Sequence, residues 1–216
     1  MNNALVENND FDHTGHSDVS EPRLAGRGSG MWVWSCRNVI AQYNRSYSIR
    51  GPGDSYGMHI DFGNKDIIYQ YNYSEDSAGG FCEILGDNYN STYRFNVSMN
   101  DGFRDFHGYT LWVSGYAGSG NTPIRSDENY IYNNTIYQGK DYKNVIGNSK
   151  VLFQVKSLNF LNNIIYLESD AKLGELEYTN DITTPFFSKN IMYGGVIKND
   201  FKNLDAQKIE QDPKFL

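Results

Sequence analysis

The sequence has few cysteines and few prolines: Cys36 and Cys82 are its two cysteines, and five prolines occur among 216 residues. Two cysteines in a chain of this length exclude a disulfide framework, and neither has the spacing of a metal knuckle. We expect both to be small core or surface residues. No run of 18 apolar residues is present, which excludes a membrane-spanning helix, and residues 1–10 lack the basic and apolar regions of a signal peptide.

A sustained apolar period of 3.6 residues is also missing, so long amphipathic helices are excluded. The chain is instead rich in aromatic residues, including 17 tyrosines, and contains 21 glycines. This composition favours strands and turns, and we predict an all-β fold. The net charge of −7 argues against a nucleic-acid partner, although a local pair of arginines could still bind an anionic substrate.

Six asparagines occupy the same place in a short repeated phrase. The phrases are QYNRSY, QYNYSE, RFNVSM, YNNTIY, LNNIIY and SKNIMY, and their asparagines are Asn44, Asn72, Asn96, Asn134, Asn163 and Asn190. A phrase around Asn9, ENNDFD, is a candidate seventh member. The six asparagines are separated by 28, 24, 38, 29 and 27 residues. Spacings of this size are typical of stacked units, because one unit alone cannot bury its apolar face.

The repeated phrase also predicts what lies inside each unit. Residues five and three positions before the asparagine are mostly apolar, such as Val39 and Ala41, which predicts a strand with one inward face. An asparagine at the following corner can bond its equivalents in the units above and below. We therefore predict an inward asparagine ladder that fixes the register between units.

The phrases VIAQYNRSY, IIYQYNYSE and YNNTIY resemble those of right-handed parallel β-helix repeat proteins of the pectate-lyase-like superfamily. The resemblance implies one parallel β-helix domain over residues 1–216, with about six to seven coils, in a secreted or periplasmic protein. The long interval between Asn96 and Asn134 predicts a surface loop insertion at 104–128. The repeats begin near Asn9 and no capping helix is predicted, so we expect either that the chain is part of a longer exported β-helix or that a neighbouring segment supplies the caps. The family includes glycoside hydrolases, polysaccharide lyases, epimerases and non-catalytic surface proteins.

One face of the glycine-led strands combines aromatic and acidic side chains. If the glycines before these strands are equivalent, alternation turns the following side chains outward: Trp32, Trp34, His59, Asp61, Phe81, Glu83 and Trp112. A contiguous exposed aromatic patch marks a binding site, and flat rings suit the apolar faces of sugars. We therefore predict that the four aromatic residues bind a polysaccharide or oligosaccharide.

Two of these side chains form the candidate catalytic pair. Pairing Gly57 with Gly79 places Asp61 beside Glu83, and equivalent positions in adjacent coils lie about 4.8 Å apart. Two carboxyl groups so close share one proton, and a separation of about 5–5.5 Å suits a retaining glycoside hydrolase. We predict Asp61 as the nucleophile, Glu83 as the acid/base and His59 as the residue that orients them. The reverse assignment stays open, as does a solvated face whose acids align by chance.

The turns after the asparagine corners add a second polar group. Arg50, Asp101 and Arg104 are predicted to border the aromatic face and to bind substrate, with the arginines clamping a carboxylate or sulfate on a sugar. Together with the acidic pair, these residues favour a glycoside hydrolase that needs no cofactor or metal.

Two alternatives remain open at this point. A polysaccharide lyase would use His59 and the arginines at the reaction, with calcium held by Asp54, Asp61 and Glu83. A non-catalytic glycan-binding or adhesion β-helix would use the aromatic face alone. The oligomeric state does not follow from the sequence.

Overall fold

The computed structural model of the chain describes residues 1–15, 28–51, 53–104, 108–139, 150–153, 155–173, 175–177 and 185–215. These residues form a parallel β-solenoid with one short helix, α1 (Asn199–Lys202), so the prediction of an all-β solenoid is confirmed. Successive strands along the chain join three different sheets, and strands from successive coils pair in parallel. No helix within the described ranges is long and apolar enough to cross a membrane.

The strands form two sheets of seven and one of six. Sheet 1 contains β1 (Asn2–Glu7), β4 (Arg37–Gln42), β7 (Lys65–Gln70), β10 (Tyr89–Arg94), β13 (Asp127–Tyr132), β16 (Leu158–Leu161) and β19 (Phe186–Ser188). Sheet 2 contains β2 (Asp10–Asp12), β5 (Arg45–Tyr47), β8 (Tyr73–Glu75), β11 (Val97–Met99), β14 (Thr135–Gln138), β17 (Ile164–Leu173) and β20 (Ile191–Ile197). Sheet 3 contains β3 (Met31–Val33), β6 (Met58–Ile60), β9 (Cys82–Ile84), β12 (Leu111–Val113), β15 (Lys150–Phe153) and β18 (Glu175–Glu177).

Alternation along the strands builds the core between the three sheets. The inward residues predicted for sheet 1 are all buried in it: Val39, Ala41, Ile67, Tyr69, Leu158 and Phe160. Sheet 3 contributes Ile60, Cys82 and Ile84, each fully buried. Cys36 and Cys82 are both free and buried, which confirms that they are small core residues and not a disulfide.

The predicted asparagine ladder runs along the corner between sheets 1 and 2. Each side-chain amide donates a hydrogen bond of 2.9–3.1 Å to the Oδ1 of the next ladder asparagine, from Asn9 to Asn190. The same Oδ1 also accepts the backbone N–H of the preceding ladder residue. The ladder ends at Asp205, whose Oδ2 accepts the amide of Asn190 at 2.7 Å. The corner is therefore filled by polar groups that satisfy one another, and it locks the coils in phase.

The last coil is covered by the segment around α1, although no capping helix was predicted. Phe201 is fully buried and packs edge-on against Phe187 at 5.5 Å and Phe160 at 6.1 Å between ring centroids. A helix of four residues is too short to produce a helical period in the sequence, which is why the pattern analysis missed it.

The predicted insertion at 104–128 is not wholly irregular. It includes β12, which pairs with β9 and β15, and it overlaps the start of β13 at Asp127. Residues 105–107 lie outside the described residues. The extra length of this coil therefore falls on either side of β12, and the loop after β12 borders the site described next.

Candidate functional site

A pocket of about 170 Å³ opens on the outer side of sheet 3, where β6, β9 and β12 lie side by side. Its lining residues are Asp54, His59, Asp61, Glu83, Leu85, Trp112 and Tyr116. His59, Asp61, Glu83 and Trp112 were predicted as site residues from the sequence, and Asp54 was considered as a calcium ligand of a lyase. The face chosen from the alternation pattern is thus the face that carries the pocket.

The register within this pocket differs from the predicted one. Ile60 pairs with Ile84, so His59, and not Asp61, lies beside Glu83. Asp61 and Glu83 are therefore two residues out of register. Because two residues advance a strand by about 6.6 Å and strands lie about 4.8 Å apart, their Cα atoms are about 8 Å apart. The predicted lateral pair is wrong, and the inference of a retaining mechanism that depended on it is withdrawn.

The glycines that suggested the pairing are not equivalent. The loop before β6 covers residues 48–57, whereas the loop before β9 covers only residues 76–81. Gly57 directly precedes β6, whereas Gly79 lies three positions before β9, so Phe81, and not Gly79, is level with Gly57. Phe81 consequently faces the core, with 4% of its surface exposed, and packs on Tyr93 at 5.9 Å. The prediction that Phe81 binds substrate on the outer face is wrong.

His59 and Glu83 form a buried pair in the pocket wall. The Nδ1 of His59 lies 3.5 Å from Oε2 of Glu83, and the two residues are 2% and 1% exposed. The indole of Trp32 stacks on the imidazole, with 6.0 Å between ring centroids and 8° between planes, and Tyr56 meets the same imidazole edge-on at 6.1 Å. A carboxylate beside one ring nitrogen favours a single orientation of the imidazole. Glu83 therefore holds the imidazole of His59 in the orientation on which Trp32 stacks.

Tyr56 and Arg104 complete the buried surroundings of Glu83. Burial and the Glu83 carboxylate raise the pKa of Tyr56 well above its ordinary value, so its phenol stays protonated. Burial lowers the pKa of Arg104, while Tyr56, Asp54 and Glu83 act in the opposite direction. Because an arginine keeps its proton in proteins, Arg104 supplies one positive charge beside the acidic pocket.

Asp54 reaches the pocket from the loop between β5 and β6. Asp54 and Ser55 both have left-handed backbone conformations, with φ of 52° and 65°. Arg104 holds this conformation: its Nη2 donates to the Asp54 carbonyl at 2.9 Å, and its Nη1 donates to the Ser55 hydroxyl at 3.0 Å and to the Gly51 carbonyl. Two consecutive non-glycine residues in this region are strained, and such strain occurs at functional sites. The loop is thus fixed in a costly conformation that presents Asp54 to the pocket.

Asp61 reaches the same pocket from the end of β6, and a second, shorter asparagine ladder fixes it. The backbone carbonyl of Asp61 accepts the amides of Asn64 at 2.6 Å and Asn88 at 2.8 Å. The Oδ1 of Asn88 accepts the N–H of Asn64, and the Oδ1 of Asn64 accepts the N–H of Cys36, both at 2.8 Å. Cys36, Asn64 and Asn88 each stand eight positions before a main-ladder asparagine, and the sequence analysis overlooked this spacing.

Aromatic residues line the rim of the pocket. Trp32 and Trp34 are 53% and 58% exposed, as predicted. Trp34 meets Phe62 at 5.7 Å, and Phe62 meets Tyr116 edge-on at 6.2 Å. Trp112 is half-buried at the pocket. Tyr116 was missed because it lies in the irregular loop after β12, where no period marks it.

The other predicted substrate-binding residues have structural contacts. Arg50 forms an ion pair with Asp76 and lies over the ring of Phe103, 4.9 Å from its centroid. Arg104 is bonded to the Asp54 loop. Asp101 is fully buried, where its carboxylate accepts the N–H of Ser77 and the hydroxyl of Ser98. The prediction that Asp101 borders an open face is wrong, and neither Arg50 nor Asp101 lines the pocket.

Asp101 should make stability depend on pH. Burial raises the pKa of its carboxyl from 3.8 to about 7. The folded state therefore holds this proton more tightly than the unfolded chain. The protonated carboxyl stabilises the fold fully below about pH 4, and the free energy of unfolding falls by roughly 4 kcal/mol in total as the pH rises from about 4 to about 7. The amide of Asp101→Asn cannot ionise, so the free energy of unfolding of this variant should change less between about pH 4 and about pH 7. Urea unfolding of both proteins across that range measures the difference, and equal slopes would contradict it.

The calcium site considered for a lyase finds no support in the geometry. Among the residues that the structure describes, no three histidine, cysteine, aspartate or glutamate side chains converge as metal ligands. Although Asp54, Asp61 and Glu83 share a pocket, Glu83 faces His59 within the wall. The three carboxylates are thus not arranged around one ion.

Comparison with known proteins gives one informative likeness. The chain is similar to a lacto-N-biosidase from Bifidobacterium longum subsp. longum, with 30% identity over 174 residues. The match covers 76% of this chain but only 9% of that enzyme. No protein-family model matches the chain, so membership of the pectate-lyase-like superfamily stays a prediction.

Proposed function

We propose that this chain carries the catalytic pocket of a glycoside hydrolase and that its substrate is an oligosaccharide. The observation that carries the proposal is the pocket itself. Two half-buried carboxylates, Asp54 and Asp61, face one cavity beside exposed tryptophans, in a chain similar to a lacto-N-biosidase. Since the chain spans 9% of that enzyme, the activity is inferred for the protein that contains this segment.

Asp54 and Asp61 are assigned as the two carboxylates that touch the substrate. Hydrolysis of a glycosidic bond needs one carboxyl group to protonate the leaving oxygen and a second carboxylate to attack the anomeric carbon or to activate water. Both groups must reach the sugar. The two aspartates retain accessible surface, whereas Glu83 is 1% exposed and lies against His59. We therefore move Glu83 from the acid/base role to a positioning role.

The buried pair supports the substrate surface rather than the reaction itself. Glu83 orients His59, and the imidazole in turn supports the stacked indole of Trp32, which is 53% exposed. A flat ring held in one orientation binds a pyranose face with little loss of conformational entropy. Trp32 and Trp34 would then bind the sugar units on the exposed side of the pocket.

The lyase alternative is less consistent with these contacts. A lyase needs a cation to neutralise the uronate carboxylate, but both candidate arginines donate to neighbouring loops. Among the residues that the structure describes, no arginine or lysine lines the pocket. A neutral oligosaccharide is therefore the better substrate class, and the likeness to a lacto-N-biosidase favours one that contains lacto-N-biose units.

Activity can be tested on para-nitrophenyl β-lacto-N-bioside with the protein containing this chain. Release of nitrophenolate together with lacto-N-biose, identified by proton NMR, is the expected result. A polysaccharide lyase would instead release unsaturated products that absorb in the ultraviolet from uronate polymers. Binding of lacto-N-biosides without any turnover would replace the hydrolase with a glycan-binding module.

A further inference from the structure

A row of aromatic residues on another side of the solenoid has no part in the pocket. Tyr43, Tyr71 and Phe95 each stand directly before a ladder asparagine, at the corner between sheets 1 and 2. Tyr43 stacks on Tyr71 with 5.3 Å between ring centroids and 9° between planes, and Tyr71 stacks on Phe95 with 5.2 Å and 10°. Phe95 then meets Tyr132 edge-on at 6.0 Å, which ends the parallel stack. We call Tyr43, Tyr71 and Phe95 the aromatic corner.

These residues occupy a backbone position that does not suit them. All three have φ of 55°, in the left-handed region, and the equivalent residue of the other coils is asparagine at Asn8, Asn133 and Asn162 or lysine at Lys189. Asparagine tolerates this conformation, whereas a bulky side chain there is an outlier that costs about 1–2 kcal/mol. Aromatic rings at three consecutive corners thus cost stability where asparagine would serve.

The rings are also exposed. Tyr43 is 52% exposed, Tyr71 44% and Phe95 39%, so exposure increases towards Tyr43. Stacking offsets part of the cost of the strained backbone, but much of each ring stays in water, and a contiguous exposed aromatic patch marks a binding site.

The stack has an open end at Tyr43. In the preceding coil the corner residue is Asn8, whose short side chain offers no ring to stack on Tyr43. A depression of about 370 Å³ lies there, lined by Asn8, Asp10, Tyr43, Asn44, Arg45, Tyr71 and Tyr73. Arg45 donates to both carboxylate oxygens of Asp10 at 2.7 and 3.0 Å, so this wall is polar with balanced charge. The depression therefore combines an open aromatic face with amide, carboxylate and guanidinium groups.

We propose that the aromatic corner is a second carbohydrate-binding site, which takes a neutral pyranose unit of a glycan at the open face of Tyr43. A pyranose has an apolar face of C–H groups that packs on a ring and a rim of hydroxyls that bond to polar side chains. Both features are matched here by the ring of Tyr43 and by Asn8, Asp10 and Arg45. The corner and the pocket share no lining residue, so the two sites are separate.

The test is a titration of the ¹⁵N-labelled protein with lacto-N-biose, methyl β-D-galactoside and methyl β-D-glucoside, each followed by NMR. We expect at least one sugar to shift the amides of residues 8–10 and 43–45 with an affinity of about millimolar. The pocket amides, at residues 54–61 and 83–85, report binding to the first site separately. A negative result at the corner therefore rejects the second site without affecting the proposed hydrolase, and a negative result at the pocket does not affect the second site.

A matched pair of variants decides whether the ring is responsible. Tyr43→Asn installs the residue found at other corners, keeps the backbone conformation, and should weaken sugar binding at the corner at least about tenfold. Tyr43→Phe keeps the ring face and should retain binding. Neither should alter hydrolysis of the nitrophenyl substrate. The proposal is overturned if none of the three sugars shifts the corner amides up to its solubility limit, or if Tyr43→Asn leaves those shifts unchanged.

Discussion

Asp61→Asn and Asp54→Asn should each lower kcat/KM on the nitrophenyl lacto-N-bioside by about 10²–10⁴-fold. Asparagine has the size of aspartate but cannot transfer a proton or carry the charge that a developing oxocarbenium ion needs. Because both aspartates lie at the surface of the pocket, the folded state should change little, and the loss should fall on kcat more than on KM. Initial rates of nitrophenolate release give both constants.

The design of this experiment separates the two possible acid pairs. Glu83→Gln should reduce the rate less than either aspartate variant, since Glu83 acts through His59. Asp66→Asn is the matched control, because Asp66 lies on sheet 1 and contacts Asn90 instead of the pocket. If Glu83→Gln abolishes turnover while Asp54→Asn retains it, the pair is Asp61 with Glu83, and the role given to Asp54 is wrong.

Asn96→Ala should destabilise the solenoid by roughly 3–5 kcal/mol. The side chain of Asn96 donates to the Tyr69 carbonyl and to Asn134, and it accepts from the backbone and side-chain nitrogens of Asn72, all at 2.9–3.1 Å. Alanine removes these four hydrogen bonds and leaves buried donors and acceptors without partners, which costs more than the bonds themselves contribute.

Denaturant unfolding followed by circular dichroism measures this loss. Asn159→Ala is the control, since Asn159 is half-buried on β16 outside the ladder and should change the free energy of unfolding by less than about 1 kcal/mol. Equal losses for the two variants would show that the ladder contributes no more than an ordinary surface asparagine.

The sequence was sufficient to predict the stacking of coils but not the register of every sheet. The asparagine phrase marks the corner between sheets 1 and 2 directly, because only a small amide side chain satisfies that buried backbone. Alternation then assigned the inward residues of sheet 1 and the outer face of sheet 3 correctly, apart from Phe81, which faces the core. Both signals are local.

The corresponding marker beside sheet 3 was overlooked, and the glycines used in its place were misleading. The loop that presents Asp54 is four residues longer than its counterpart, whereas pairing Gly57 with Gly79 requires a difference of six, so Asp61 and Glu83 are not lateral neighbours. Loop length is not encoded in the strand pattern, and insertions in loops are tolerated at low cost. The second ladder at Asn64 and Asn88 would have given the correct register, since those residues are as far apart as Ile60 and Ile84.

The site residues also divide into those on regular strands, which the sequence predicts, and those in irregular loops, which it does not. Residues on regular strands, such as His59 and Trp112, were found because alternation placed them on the outer face. Asp54 and Tyr116 come from irregular loops, where a residue's direction depends on contacts that only the folded chain creates. Arg104 illustrates this point, because its charge suggested a substrate clamp while its hydrogen bonds hold the Asp54 loop.

The main ladder also bears on how such a molecule can change in length during evolution. Every asparagine in it offers the same acceptor to the coil before and the same donors to the coil after. A whole coil can therefore be duplicated or deleted without altering the chemistry of this corner, whereas a partial coil would turn inward residues outward. Asp205 is the exception, because a carboxylate offers no donor to a following coil. Duplication of a coil outside the three that carry β6, β9 and β12 would thus lengthen the solenoid while the residues that line the pocket keep their neighbours.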